Sequence, residues 1–192
     1  MKYIVSFREL PHGIPLIRHF PEYPSWLYRL ERVVPRVYIV RKIAVEKGIL
    51  KNLDRLSSAD FDPLHEVILE QPLEIPQKKN FQAQARIVHY GNSRVIIEAS
   101  LNGSGVLVLA DSFYPGWRVY VDGNENKILR ANFFFRGVPL SAGDHLVEFR
   151  YQPRSFAIGL VISLLTVSII VVSSIVFAAL ERRRSVGNGP TN

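Results

Sequence analysis

Asp111, Tyr114, Trp117, Arg118 and Asp122 stand close together in the chain. A flat indole or phenol can stack on a sugar face while neighbouring carboxylates accept its hydroxyls, so this group could form a glycan platform. The plainer reading, which we favour, is that Tyr114-Pro115-Gly116 is a turn and Trp117 a core anchor, because proline and glycine beside aromatics speak of backbone geometry. Arg130, Arg136 and Arg150, with Asp144 and Glu148, could hold an anionic ligand. The plainer reading, again the one we favour, is that they pair across strands on an exposed face. The candidate binding residues are therefore Asp111, Tyr114, Trp117, Arg118 and Arg136.

No catalytic residue, cofactor or metal is expected. His12, His19, His65, His89 and His145 are scattered, without partners at ligand spacing. The serines lack a nucleophile elbow, and no glycine-rich phosphate loop occurs. Asn102-Gly103-Ser104 fits a glycosylation sequon but reads as a tight turn. There is no cysteine, which removes disulfide and thiol chemistry. The net charge of +7 falls to +5 without Glu181 and Arg182 to Arg184. This excess is spread along the chain, so no nucleic-acid partner is expected. An anionic envelope polymer or glycan, or a lipid headgroup, suits it better, and a generic solvated surface better still.

The elements that must position these side chains fall into three parts. Residues 1–75 read as a small α+β unit. Tyr3 to Phe7, Trp26 to Val34, Arg36 to Val40 and Glu66 to Glu70 are strands, and Ala44 to Ser57 has Val45, Ile49, Leu50, Leu53 and Leu56 at helical spacing. Residues 71–80, with Pro72 and Pro76, are the expected seam. Residues 81–153 read as an antiparallel β-sandwich. Seven short strand candidates alternate there with turns at Gly91-Asn92, Asn102-Gly103, Asp122-Gly123 and Ala142-Gly143, pairs that supply positive φ.

Phe156 to Leu180 then gives 25 consecutive uncharged residues, 16 of them Leu, Ile, Val or Phe. At ~1.5 Å per residue, a helix of this length crosses a ~30 Å hydrocarbon core with some tilt. The fold class is thus mainly β with one C-terminal transmembrane helix. Arg154 alone precedes the span and three arginines follow it, so the positive-inside rule puts residues 181–192 in the cytoplasm and residues 1–153 outside. Residues 181–192 read as a disordered tail. The residues after Met1 form no signal peptide, so a domain outside implies earlier spans in a longer protein. The bilayer is the first partner, and other transmembrane helices could pack on a face marked by Ser163, Thr166, Ser168, Ser173 and Ser174. Serine and threonine also tolerate lipid, and both readings stay open.

Tyr114-Pro115-Gly116-Trp117, Asp122-Gly123, Arg130-Ala131-Asn132, Val138-Pro139, Ala142-Gly143-Asp144-His145 and Glu148-Phe149-Arg150-Tyr151 occur in this order. Pro35-Arg36-Val37-Tyr38 and Asp60-Phe61-Asp62-Pro63 lie upstream. This combination resembles the C-terminal extracytoplasmic domain and last transmembrane helix of the YfhO family of bacterial membrane proteins. The resemblance covers roughly residues 1–182. It implies a large polytopic protein similar to glycosyltransferases that use polyprenyl-phosphate sugars to decorate envelope polymers. Their catalytic acidic residues lie on loops between N-terminal spans, so none carries over to this chain. The expected role is non-catalytic: to position an acceptor or to brace the core. The rival reading is a self-standing anchored module that binds glycan or protein.

Overall fold

The computed structural model describes residues 3–10, 14–30, 33–76 and 78–187. Strands β1 (Tyr3–Ser6), β2 (Leu16–Phe20) and β3 (Ser25–Arg29) form a small antiparallel sheet in the order β1-β3-β2. Next come β4 (Val37–Val40), β5 (Lys42–Val45), helix α1 (Ile49–Leu56) and β6 (Glu66–Leu69). The remaining strands are β7 (Ala83–Tyr90), β8 (Arg94–Leu101), β9 (Gly105–Leu109), β10 (Trp117–Val121), β11 (Asn124–Asn126), β12 (Leu129–Ala131), β13 (Phe135–Leu140) and β14 (Gly143–Tyr151). Helix α2 (Arg154–Gly187) closes the described chain.

Two sheets face one another across the main core. One has the order β11-β10-β14-β8-β7, the other β4-β9-β13-β12-β6-β5. Alternation explains the packing between them. Val95, Ile97, Ala99 and Leu101 of β8, Val119 of β10, and Val147 and Phe149 of β14 meet Leu107 and Leu109 of β9 and Val138 and Leu140 of β13. Strand β9 is the exception to alternation. All five of its residues are buried, because Val106 and Val108 enter a second core on the other face of the six-stranded sheet, with Tyr38, Val40, Val67, Leu69 and Ala131. A continuous apolar run is what burial on both faces demands.

The chain is mostly β and ends in one long apolar helix, as expected. The six-stranded sheet, however, crosses the expected seam. β4, β5 and β6, from the first unit, share it with β9, β12 and β13. Ala44 and Val45, read as the start of a helix, belong to β5, which pairs in parallel with β6. A parallel pair needs a crossover, and residues 46–65 with α1 supply it. Helix α1 does not bury the apolar face that its spacing suggested. Ile49, Leu50 and Leu53 are exposed, while Asn52 is buried and donates from Nδ2 to the carbonyls of Glu46 (2.8 Å) and Gly48 (3.2 Å). Strands β2 and β11 had no counterpart in the sequence reading. The strand expected over Trp26 to Val34 ends at Arg29, and Glu31 and Arg32 lie outside the described residues.

A buried corner ties the two halves of the six-stranded sheet. Asn132, with φ 46°, accepts from the Ile68 amide at Oδ1 (2.8 Å), donates from its own amide to the Ile68 carbonyl (2.9 Å) and donates from Nδ2 to the Tyr38 hydroxyl (3.2 Å). Burial pushes the Tyr38 phenol up to about 12, against the Asn132 bond that lowers it. Asparagine tolerates this left-handed backbone while bonding its neighbours. That accounts for the third position of Arg130-Ala131-Asn132.

Helix α2 runs to Gly187, so the first part of the tail read as disordered is helical; residues 188–192 lie outside the described residues. Residues Arg154–Phe177 are long and apolar enough to cross a membrane, with none of that stretch covered by the rest of the chain. Thr166, Ser168 and Ser174 each donate to the carbonyl four residues earlier (2.9, 2.8 and 2.8 Å). These hydroxyls are satisfied within the helix and need no partner helix.

Candidate functional site

The sharp turn Tyr114-Pro115-Gly116 delivers Trp117 to the head of β10, where it pairs with Tyr151, the last residue of β14. Gly116 is required twice over. Its φ is +101°, and a Cβ there would fall 2.9 Å from the Tyr151 ring and 3.1 Å from the Pro153 backbone. The Gln152 amide donates to the Gly116 carbonyl at 2.6 Å. The turn is thus clamped to the three residues that lead into α2.

Arg136 enters from β13 in the facing sheet. Its guanidinium lies 3.8 Å from the centre of the Trp117 ring and 5.7 Å from that of Phe149. On its far side the indole meets Tyr151, with ring centres 5.3 Å apart and planes tilted by 46°. The expectation that Arg136 pairs across strands on an exposed face is corrected. The residue is 4% exposed, and no ion pair to it occurs among the described residues. Its Nε donates to the Ser112 carbonyl at 2.9 Å, and buried Nη1 has no partner. Burial pushes the Arg136 guanidinium down from its ordinary value, partly offset by the charge of Asp111 and by Tyr90. Stacking over an electron-rich indole supplies some of the missing compensation.

Tyr114, Trp117, Arg118 and Arg136 line one cavity of about 200 Å³, together with Phe113, Glu125 and Ile128. A second, more open groove of about 530 Å³ shares Tyr114, Trp117, Arg118 and Glu125 and runs on to Tyr151, Arg154 and Ser155. Four of the five sequence-predicted residues therefore gather. Asp111 stands beside them in a different group. It accepts from the Tyr90 hydroxyl (3.1 Å) and lies 3.5 Å from Arg36, whose guanidinium covers the Tyr90 ring at 4.7 Å. Phe113, Glu125, Arg36 and Tyr90 were not foreseen. Tyr90 ends β7 and Glu125 lies on β11, and a strand's own pattern does not report which strand lies opposite.

The other charged residues have structural partners. Glu148 receives Arg94 (2.5 Å) and Arg150 (2.6 Å); the Arg150 bond, then Arg94, holds its carboxyl below the usual range against the effect of burial. Arg130 pairs with Glu70 at 3.4 Å. Asp144 lies with Arg86 and Glu98 along a shallow concavity on the outer face of the five-stranded sheet.

A Ser-His-Asp array does occur. His145 Nδ1 is 2.7 Å from Asp122 Oδ2, and its Nε2 is 3.4 Å from Ser141 Oγ. The same Nε2 lies 3.2 Å from the Ser141 carbonyl. With Nδ1 held by the Asp122 carboxylate, Nε2 is shared between the hydroxyl and the carbonyl of Ser141. Asp122 Oδ1 also caps the Leu146 amide (2.8 Å), and the His145 bond, then this amide, lowers the Asp122 carboxyl. The array therefore stitches two hairpin turns together. At Asp122 and Gly123 φ is 52° and 83°, the left-handed pair of a tight hairpin.

These features define a β-sandwich membrane protein whose sheets run straight into an apolar helix. Residues 72–163 match the family described as bacterial membrane protein YfhO. The uncharacterized protein YfhO of Bacillus subtilis (strain 168) is 26% identical over 96 residues, which cover 50% of this chain and 11% of that protein. The chain thus spans about a tenth of that relative's length. No solved structure matches it.

Proposed function

We propose that the chain is the non-catalytic extracytoplasmic part of a longer YfhO-like membrane protein, one that decorates envelope polymers from polyprenyl-phosphate sugars. In this reading the sandwich braces the membrane core and presents an acceptor polymer to it. The observation that carries it is the clamp between sandwich and helix. The Gly116–Gln152 bond and the close fit of Gly116 against Tyr151 and Pro153 tie the sandwich to the residues that lead into α2, and the family match runs across that joint. A binding module on a flexible stalk needs no such clamp. The arginine asymmetry around the span supports a domain outside.

The test uses the purified chain in detergent, given polyprenyl-phosphate sugars and envelope polymer. No transfer above background is expected from the chain alone. Co-expression with the membrane spans of a YfhO-like protein lacking this region should restore transfer. Turnover by the isolated chain that disappears in Asp111→Asn or Glu148→Gln would defeat the reading.

A further inference from the structure

Arg136 poses a chemical problem that the fold leaves unsolved. A guanidinium carries five donors and a permanent charge. Here it is 4% exposed, spends one donor on the Ser112 carbonyl, leaves Nη1 without a partner and forms no ion pair among the described residues. Buried cations are ordinarily paired with an anion. Asp111 acts on it only at a distance, because its own carboxylate is engaged by Tyr90 and Arg36. The side chain lines a cavity of about 200 Å³ that also presents Arg118 and the Tyr114 phenol. At roughly 30 Å³ per water, such a space admits several waters or one oxyanion with its ester oxygens.

The direction from which an anion would come is set by the groove. From Arg118 it leads past Tyr151 to Arg154 and Ser155, where the membrane helix begins. Trp117 sits opposite Tyr151, only three residues ahead of Arg154. Tyr114 is 62% exposed at this end of the sandwich. Tyr and Trp beside the end of an apolar helix are what the headgroup layer selects. Beyond Ser155 the helix offers an exposed apolar surface along which acyl chains can lie. Glu125 lines the site too, but its pair with Arg118 is exposed and 3.4 Å long, so an oxyanion can displace it at small cost.

We propose that the Trp117–Arg136 cavity is a phosphate site that takes the headgroup of an anionic phospholipid from the leaflet facing the domain. Arg136 and Arg118 would hold the phosphate oxygens, Tyr114 would donate to them, and Arg154 would sit at the mouth of the groove. The proposal needs only that α2 spans a bilayer, so it can fail while the glycosyltransferase reading stands, and the reverse.

The chain has two tryptophans, so Trp26→Phe leaves Trp117 as the sole indole reporter. The full chain carrying that change, in a non-ionic detergent, is titrated with dihexanoyl phosphatidylglycerol, inorganic phosphate, glycerol and a soluble poly(glycerol phosphate) while Trp117 emission is followed. A saturable change with the lipid is expected, at least about tenfold tighter than with inorganic phosphate and absent with glycerol. Arg118→Gln should weaken it about tenfold or more with an unchanged melting temperature, and Arg136→Lys should weaken it as well. Should the Arg136 variant fail to fold, Arg118→Gln decides. The proposal is overturned by no saturable response, by equal affinity for inorganic phosphate, by tighter binding of the polymer than of the lipid, or by wild-type affinity in Arg118→Gln.

Discussion

Strand β9 and the small sheet β1–β3 both carry apolar residues, but their surroundings differ. Gly105–Leu109 is buried at every position and covered on both faces. In the small sheet Tyr3, Val5, Leu16, Ile17 and Phe20 are exposed, although its strands are hydrogen-bonded, with one irregularity between Leu16 and Arg18. Backbone pairing alone therefore does not distinguish the two; removal of apolar area from water does, at roughly 25 cal/mol per Å². The contrast implies that stability resides in the sandwich and that the small sheet opens at little cost.

The sharpest attempt to break this contrast is Phe149→Ala. The side chain is fully buried between the sheets, and its loss should cost about 3–5 kcal/mol by chemical denaturation of the chain. A cost below 1 kcal/mol would mean that the sandwich is not the stable part. Asn132→Ala comes next. It strands the Ile68 amide and the Tyr38 hydroxyl in the second core, for an expected loss of roughly 1–3 kcal/mol.

Acid sharpens the picture in the same region. Glu66 is pushed up by burial but brought below its usual range on balance by Arg55 and Lys42, and Glu148 is lowered by Arg150 and Arg94. Depressed carboxyls contribute stability that is whole above about pH 4.5 and is lost as the pH falls through their folded values. Melting temperature should therefore hold from neutrality to about pH 5 and fall below it. Glu148→Gln should flatten that fall, and an unchanged acid limb would refute the linkage. Last and smallest, Val5→Ala or Ile17→Ala in the small sheet should shift the midpoint by no more than about 0.5 kcal/mol. A shift as large as that of Phe149→Ala would erase the contrast.

Much of the sandwich was legible because its signals are local. Arg94 to Leu101 alternates, Asn102-Gly103 and Asp122-Gly123 punctuate, and the observed strands begin or end within a few residues of the expected ones. The partnership of β4, β5 and β6 with β9 and β12 was not legible, since a strand's pattern gives its faces and not its neighbours. Ile49, Leu50 and Leu53 lie on α1 while facing water, so periodicity was read correctly for α1 and wrongly for its burial, and Val45, grouped with them, belongs to β5. At the candidate site, Tyr114, Trp117 and Arg118 are neighbours in sequence and were easily grouped. Arg136 follows three phenylalanines and reads as the outward member of an alternating strand. Its burial depends on an indole from the other sheet, which no local pattern reveals.

The pairing of β4 has a consequence for how the chain is made. Val37 to Val40 finds its sheet neighbour in Val106 to Leu109, far downstream, and Leu69 of β6 meets Ala131 later still. During synthesis the early strands must wait, edges unsatisfied, for residues that have not yet been added, and long-range closure of this kind is slow. A stalled nascent chain ending between β6 and β9 would carry Val37-Tyr38-Ile39-Val40 as a bare adhesive edge. It should be the stage at which holdase chaperones are most needed.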